Sequence, residues 1–185
     1  MIEGPLAGKK LSFLTAARGS FSDYLFKLTN NDVLKQTKAN FYEFTAKLAF
    51  KHNEKNQFFL TGFLSQDAFK VAGDSLSGLE VNATSTLFRW KTANASLRWN
   101  HIINSQWVSN LVGVWSDYTS TMSNDEPEYA FDLKSKIRYQ NVRYEFGYTG
   151  NHHKMDMGLN AVRYQITPGT LTPGSSSNVN ARKLP

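Results

Sequence analysis

The feature that most restricts how this chain can fold is a period-two alternation of apolar and polar residues. Its clearest example runs from Phe41 to His52. Because successive side chains of a β-strand point to opposite faces, the pattern predicts a strand with one apolar and one polar face. The apolar positions are Tyr42, Phe44, Ala46, Leu48 and Phe50, and the polar positions are Glu43, Thr45, Lys47 and Lys51.

The same alternation recurs further along the chain. Between Ala93 and Trp99 the apolar positions alternate with Asn94, Ser96 and Arg98, and between Val142 and Tyr148 they alternate with Arg143, Glu145 and Gly147. Leu11, Phe13 and Ala17 follow it less cleanly. Two more segments, Gln57 to Phe69 and Trp107 to Tyr118, are rich in strand-forming residues but do not indicate which face is apolar.

Short and long connections alternate between these segments. Short polar turns are predicted at Ala7 to Lys10, His52 to Asn56, Ile102 to Ser105 and Gly150 to Lys154, with centres about 46 to 50 residues apart. Longer polar connections are predicted at Lys27 to Asn40, Lys70 to Ser85 and Ser120 to about Asp132. Each period therefore holds two strands of roughly 15 residues, longer than the 5 to 6 typical of soluble proteins and sufficient to cross hydrocarbon.

Long two-faced strands with short turns at one end and long loops at the other predict an all-β chain. We expect an antiparallel, long-stranded meander that forms part of a transmembrane β-barrel, in which the polar face lines the lumen. Residues 1–166 would be a barrel segment of about seven strands plus the end of another. Residues 167–185, rich in Ser, Gly, Pro and Asn, would be a polar extracellular loop or disordered tail.

Two sets of side chains follow as candidates. The polar positions expected to face the lumen, where they would contact a plug or solute, are Glu43, Lys47, Lys51, Asn94 and Arg98. The aromatic residues expected at membrane interfaces are Trp99 and Trp107 at the turn end, with Trp115 and Tyr118 towards the opposite rim. The alternative is that these rings fill the core of a soluble sandwich.

Composition excludes several other functions. The chain has no cysteine, so disulfides and thiolate chemistry are absent, and no apolar run is long enough for a transmembrane helix. The net charge of +6 is scattered, so no nucleic-acid partner is expected.

No arrangement of residues points to catalysis, to a cofactor or to a metal. His152 and His153, with Asp156 nearby, are interpreted as a solvated turn, and Asp125, Glu126 and Glu128 as a solvated acidic loop.

Four stretches, quoted in chain order, resemble TonB-dependent outer-membrane receptors of the Bacteroidota type: "IEGPLAGKKLSFLTAARGSFSDYL", "NEKNQFFLTGFLSQDAF", "NASLRWNHIINSQWVSN" and "YTGNHHKMDMGLNAVRYQITPG". The resemblance spans nearly the whole chain. It implies a barrel of about 22 strands around a plug in the bacterial outer membrane, importing a scarce nutrient. The implied partners are outer-membrane lipid, the remainder of the barrel and its plug, and a surface lipoprotein.

Two alternatives stay open. The first is a complete small outer-membrane barrel of eight strands, acting as an adhesin or a structural protein. The second is a soluble β-sandwich or repeat module that binds a ligand.

Overall fold

The alternating segments form one continuous sheet. The computed structural model describes residues 1–8, 10–31, 34–35, 37–70, 85–127 and 130–174. Eight strands lie in the sheet in sequence order, each antiparallel to the next, so the predicted all-β, long-stranded meander is confirmed. The elements are β1 (Ile2–Ala7), β2 (Leu11–Phe21), α1 (Ser22–Lys27), β3 (Lys38–Lys51), β4 (Asn56–Lys70), β5 (Thr86–Ile102), β6 (Trp107–Asn124), β7 (Phe131–Thr149) and β8 (Lys154–Pro173).

Tight turns join the strands at one end of the sheet. The backbone N–H of His52 donates to the carbonyl of Asn56, that of Ile103 to Trp107, and that of Gly150 to His153, over 2.8 to 3.1 Å. The strands from β3 onward are 14 to 20 residues long, well above the usual strand length. Strands that long carry the chain far from these turns before each longer connection.

Helix α1 follows β2 within the first long connection. The carboxylate of Asp23 accepts hydrogen bonds from the backbone N–H of Ala39 at 2.5 Å and from Asn40 Nδ2 at 2.6 Å, which tie the helix to the start of β3. In the part of the chain that the structure describes, no helix has the length and apolar character needed to cross a membrane.

The sheet is a single layer. Each strand packs against its neighbours in the sheet, and α1 packs on β3. Among the described residues Ala68 is the one buried apolar side chain, whereas large apolar residues such as Tyr42, Phe44 and Leu48 are exposed. Within the described residues, the apolar positions of these strands therefore do not meet a second layer.

The outermost strands are β1 and β8, which have very different lengths. β1 has 6 residues and β8 has 20, and the side chains of β8 are exposed along nearly its whole length. Neither outer edge pairs with another strand in the part of the chain that the structure describes, and such open edges are sites for pairing with further polypeptide.

The last strand extends beyond the boundary expected at residue 166. Residues 167–173 continue β8 and pair with β7, so this part of the predicted polar tail is wrong. Pro168 and Gly169 lie at a register irregularity opposite Ser135. Because β8 is an edge strand, the missing N–H of Pro168 is tolerated there. Residues 175–185 of the expected tail lie outside the described residues.

Candidate functional site: the two faces of the sheet

The register of the strands assigns every side chain to one of two faces. Leu97 of β5 lies opposite Leu60 of β4 and Gly113 of β6, and we call their side the Leu97 face. Its neighbour Arg98 belongs to the other side, the Arg98 face. The register also resolves the faces of β4 and β6, which the sequence left open, because each residue shares the face of its cross-strand partner.

The Leu97 face carries an uncharged strip that we call the apolar band. Leu97, Val142 and Leu159 in it are 53%, 57% and 81% exposed. Its members on β3 to β8 are Phe44, Ala46, Leu48, Phe50, Phe58, Leu60, Gly62, Leu64, Ala93, Ala95, Leu97, Trp99, Trp107, Ser109, Leu111, Gly113, Trp115, Val142, Tyr144, Phe146, Tyr148, Met155, Met157, Leu159 and Ala161. An exposed apolar surface this extensive indicates an interaction with lipid or another apolar partner.

The hairpins and the band shift along the strands together. The pairing of β3 with β4 ends at Gln57, which lies opposite Asn100 of β5, and β5 continues its pairing with β6 two residues further, to Ile102. The pairing of β5 with β6 ends at Val108, which lies opposite Gly147 of β7, and β7 continues its pairing with β8 two residues further, to Thr149. From β3 onward, each hairpin thus extends two residues beyond the preceding hairpin, which is one residue per strand. With a rise of about 3.3 Å per residue and strands about 4.8 Å apart, this stagger corresponds to a strand tilt of about 35°.

Three of the four predicted interface aromatics lie on the Leu97 face. Trp99 stacks on Phe58 with ring centroids 6.0 Å apart, and Trp107 contacts Tyr148 at 4.9 Å, both towards the short turns. Trp115 lies at the other edge of the apolar band, opposite Gln140. These three residues are on one side of the sheet, as an interface role requires.

Tyr118 is the exception, because its side chain lies on the other face of the sheet from these three residues. It pairs with Thr92 and Ile137 on the Arg98 face, whereas Trp115 lies on the Leu97 face. The separation of three residues between Trp115 and Tyr118 is odd, and in a strand an odd separation places two side chains on opposite faces.

The five predicted lumen candidates all lie on the Arg98 face. Arg98 lies over the ring of Phe59 at 4.4 Å and Lys47 approaches the same ring at 5.6 Å, so the ring joins two of the five. Glu43 forms an ion pair with Arg18. Asn94 Oδ1 is buried without a hydrogen-bond partner, while Lys51 is exposed beside a turn.

Charges of both signs mix on the Arg98 face. Its strand cations are Arg18, Lys47, Lys51, Arg98, Arg143 and Lys154, and its strand carboxylates are Glu3, Glu43, Asp67, Glu145 and Asp156. The near balance leaves little net charge, so this surface favours neither cationic nor anionic solutes as a whole.

A polar recess of about 460 Å³ opens across β6, β7 and β8. Its polar side chains are those of Asn110, Arg143, Glu145, Asp156 and Asn160. Nε of Arg143 lies 3.2 Å from Oε1 of Glu145. The alternation had marked Arg143 and Glu145 as polar positions. It gave no signal for Asn110 or Asn160, because only the pairing of β6 with β7 and of β7 with β8 brings them together.

A second recess, of about 540 Å³, lies on the Leu97 face over Gly113. Leu97, Trp115 and Val142 surround it, and Arg163 stands at its edge. An added Cβ at Gly113 would meet no atom within 4 Å, so the missing side chain of Gly113 leaves an open groove.

Among the described residues no group of three or more His, Cys, Asp or Glu side chains gathers in a way that would hold a metal ion. His152, His153 and Asp156 are exposed at the β7–β8 turn and the start of β8. Comparison with protein-family models, curated proteins and solved structures finds no match to this chain.

Proposed function

We propose that this chain forms part of the wall of an outer-membrane transport barrel of the TonB-dependent receptor type, through which a scarce nutrient is imported. The observation that carries the proposal is the apolar band: an uncharged strip across β3 to β8 on one face of the sheet, in which large apolar side chains such as Leu60, Leu97 and Val142 are exposed. In a bilayer this face would contact acyl chains, and every strand between the edges already has its backbone groups paired.

The dimensions of the apolar band support this assignment. On β6 the band runs from Trp107 to Trp115, eight residue steps or about 26 Å at the usual rise per residue. A tilt of about 35° reduces its height to about 22 Å, close to the roughly 25 Å height of the lipid-facing band of outer-membrane barrels. Trp107 and Trp115 then stand at the two edges of the band, where aromatic girdles occur.

The Arg98 face would line the aqueous lumen. Its mixed charges and its polar recess offer hydrogen bonds and ion pairs to a hydrated solute or to a plug, while lipid would leave those charges without partners. In this arrangement Lys47 and Arg98, held on either side of Phe59, are solute or plug contacts.

The two edge strands bear on the size of the barrel. The count of eight strands favours the alternative of a small closed barrel, but β1 and β8 stand at the two ends of the strand order and do not pair with each other. Over the described residues the sheet is therefore open, and pairing of both edges with further strands is the better supported arrangement.

Cysteine labelling tests the proposed membrane contact, because the chain has no native cysteine. Single variants Leu97→Cys and Val142→Cys place a thiol in the apolar band, and Arg98→Cys and Arg143→Cys place one on the adjacent residue of the other face. In outer membranes of cells that express the protein, we expect a lipid-soluble maleimide to label the first pair and a water-soluble maleimide to label the second.

The labelling has two informative failures. Reaction of all four thiols with the water-soluble reagent would show that the apolar band faces water or a weak partner, and would reject the barrel. Protection of Leu97→Cys and Val142→Cys from both reagents would indicate a covering protein layer and would favour the soluble sandwich. Uptake of candidate nutrients by cells expressing the protein then tests transport itself.

A further inference from the structure

Beyond the apolar band, at the long-loop end of the Leu97 face, lies a set of cations that we call the basic belt. Its members are Arg89 and Lys91 on β5, Lys134, Lys136 and Arg138 on β7, and Arg163 on β8. The carboxylates on the same part of this face are Asp117 and Asp132. The excess of positive charge contrasts with the near balance on the Arg98 face and predicts an anionic partner.

The belt encloses two hydroxyl groups. Lys91, Thr119 and Lys136 lie directly opposite one another across β5, β6 and β7. The next such row is Arg89, Thr121 and Lys134. The cations of each row are two strand spacings, or about 10 Å, apart at their backbones, with a threonine hydroxyl between them. Long basic side chains on both sides of a hydroxyl donor suit a phosphate group.

The carboxylate of Asp117 is already occupied. It accepts from Arg138 Nη2 at 2.9 Å and lies 3.1 Å from Lys136 Nζ, and only 13% of its side chain is exposed. Within the described residues Arg89, Lys91, Lys134 and Arg163 make no ion pair, and Arg89 Nε is buried without a hydrogen-bond partner. The belt therefore keeps cationic donors that its own carboxylates do not satisfy.

The apolar groove over Gly113 lies beside the belt on the same face of the sheet. Trp115 separates Gly113 from Asp117 and Thr119, and Arg163 is both a member of the belt and a lining residue of the groove. A ligand that lies along β6 would thus meet apolar side chains at one end and cationic donors at the other, which is the requirement of an anionic amphiphile.

We propose that this surface binds a lipid with a phosphate headgroup, the phosphate resting in the basic belt near Thr119 and Thr121 and an acyl chain in the groove over Gly113. The inference goes beyond transport and rests on lipid contact of the Leu97 face. At the long-loop end the belt would lie at the headgroup level of one leaflet, where each nearby basic residue strengthens binding to anionic lipid.

Quenching of Trp115 fluorescence by brominated lipids tests the proposal. The protein is reconstituted with Trp90, Trp99 and Trp107 replaced by Phe, in vesicles that contain either brominated phosphatidylglycerol or brominated phosphatidylcholine. We expect phosphatidylglycerol to quench Trp115 at lower mole fraction. Replacing Lys91, Lys134 and Arg163 by Gln should reduce this preference about fivefold for each cation removed.

Matched variants separate the headgroup and chain contributions. Lys47→Gln, Arg98→Gln and Arg143→Gln together remove the same charge from the other face and should leave the preference unchanged. The charge-preserving set Lys91→Arg, Lys134→Arg and Arg163→Lys should retain it. Gly113→Leu fills the groove and should weaken quenching by both lipids, whereas Gly62→Leu, on the same face outside the groove, should not.

Several results would overturn the inference. Equal quenching by the two lipids, or equal loss with the control set on the Arg98 face, would show no headgroup site in the belt. Full competition by low-millimolar inorganic phosphate, with no effect of Gly113→Leu, would assign the belt to free phosphate instead. If the lipid-soluble maleimide labels the cysteine variants of the apolar band but the quenching tests fail, the phosphate-lipid site is rejected and the proposed barrel is not.

Discussion

Leu97 and Arg98 are adjacent in sequence, yet their side chains lie on faces of the sheet that differ in charge and in side-chain contacts. Around Leu97 the sheet excludes every charge over the width of the apolar band. Around Arg98, charges of both signs alternate with aromatic and aliphatic residues, and contacts such as that of Arg98 with Phe59 hold them in place. One face is defined by composition alone, and the other by specific pairs.

The contacts proposed for the two faces would account for this difference. Acyl chains make no directional demands, so any apolar residue would serve on the Leu97 face, where the sizes range from Gly113 to Trp115. Water and a polar solute do make such demands. The Arg98 face accordingly has an ion pair at Arg18 and Glu43, ring contacts at Phe59 and a polar recess.

The largest expected effect comes from placing a charge in the apolar band. Leu97→Arg should lower the free energy of unfolding in lipid vesicles by about 2 to 4 kcal/mol, because the guanidinium would lie in hydrocarbon. Ser96→Arg, on the other face, should change it by less than about 0.5 kcal/mol. Urea titration of vesicle-embedded protein, followed by tryptophan fluorescence, measures both.

The difference in unfolding free energy between these two variants is informative because Leu97 is 53% exposed. If the Leu97 face met water, an arginine there would be a surface substitution of little consequence. Equal effects of Leu97→Arg and Ser96→Arg would therefore remove the distinction between the faces.

The second expected effect concerns ion pairs of different burial. Asp117→Asn should destabilise the protein by about 1 to 3 kcal/mol, because Arg138 and Lys136 lose the largely covered carboxylate that they share. Glu145→Gln, which removes a pair whose side chains are 49% and 43% exposed, should cost less than about 0.5 kcal/mol. The same urea titration serves, and a larger loss for Glu145→Gln would contradict the assignment.

The smallest expected effect concerns the ring of Phe59. Phe59→Leu keeps an apolar side chain but removes the contacts with Arg98 and Lys47, and we expect a loss of about 0.5 to 1 kcal/mol. Phe63→Leu, at another ring of the same face and strand, is the matched control for loss of aromatic area. Equal losses in the two variants would show that the cations add nothing to the contact.

Much of this arrangement follows from alternation. In Tyr42 to Lys51 of β3, Ala93 to Trp99 of β5 and Val142 to Tyr148 of β7 the polar and apolar residues alternate, so the faces of these segments could be predicted, and the five lumen candidates all lie together on one face. On β4 and β6 both faces carry apolar side chains, as Phe58 and Phe59 or Leu111 and Val112 show. The local periodicity of β4 and β6 therefore does not show which of their sides belongs to which face, and only the register with the neighbouring strands assigns them.

Tyr118 and the end of β8 show the same limit. Proximity to Trp115 in sequence suggested a shared interface for Tyr118, but strand geometry separates the two faces. Pro168 and Gly169 suggested a loop, but β7 provides a ladder on which the strand continues past an irregularity.

By itself, the sequence determined the strand type, the turns and the two-sided character of the clearest segments, because these depend on the alternation of neighbouring side chains. Only the tertiary structure decided the apolar band, its stagger of one residue per strand and the basic belt beside it. Those features join residues far apart in the chain, and their positions depend on interstrand hydrogen bonds whose register no single segment encodes.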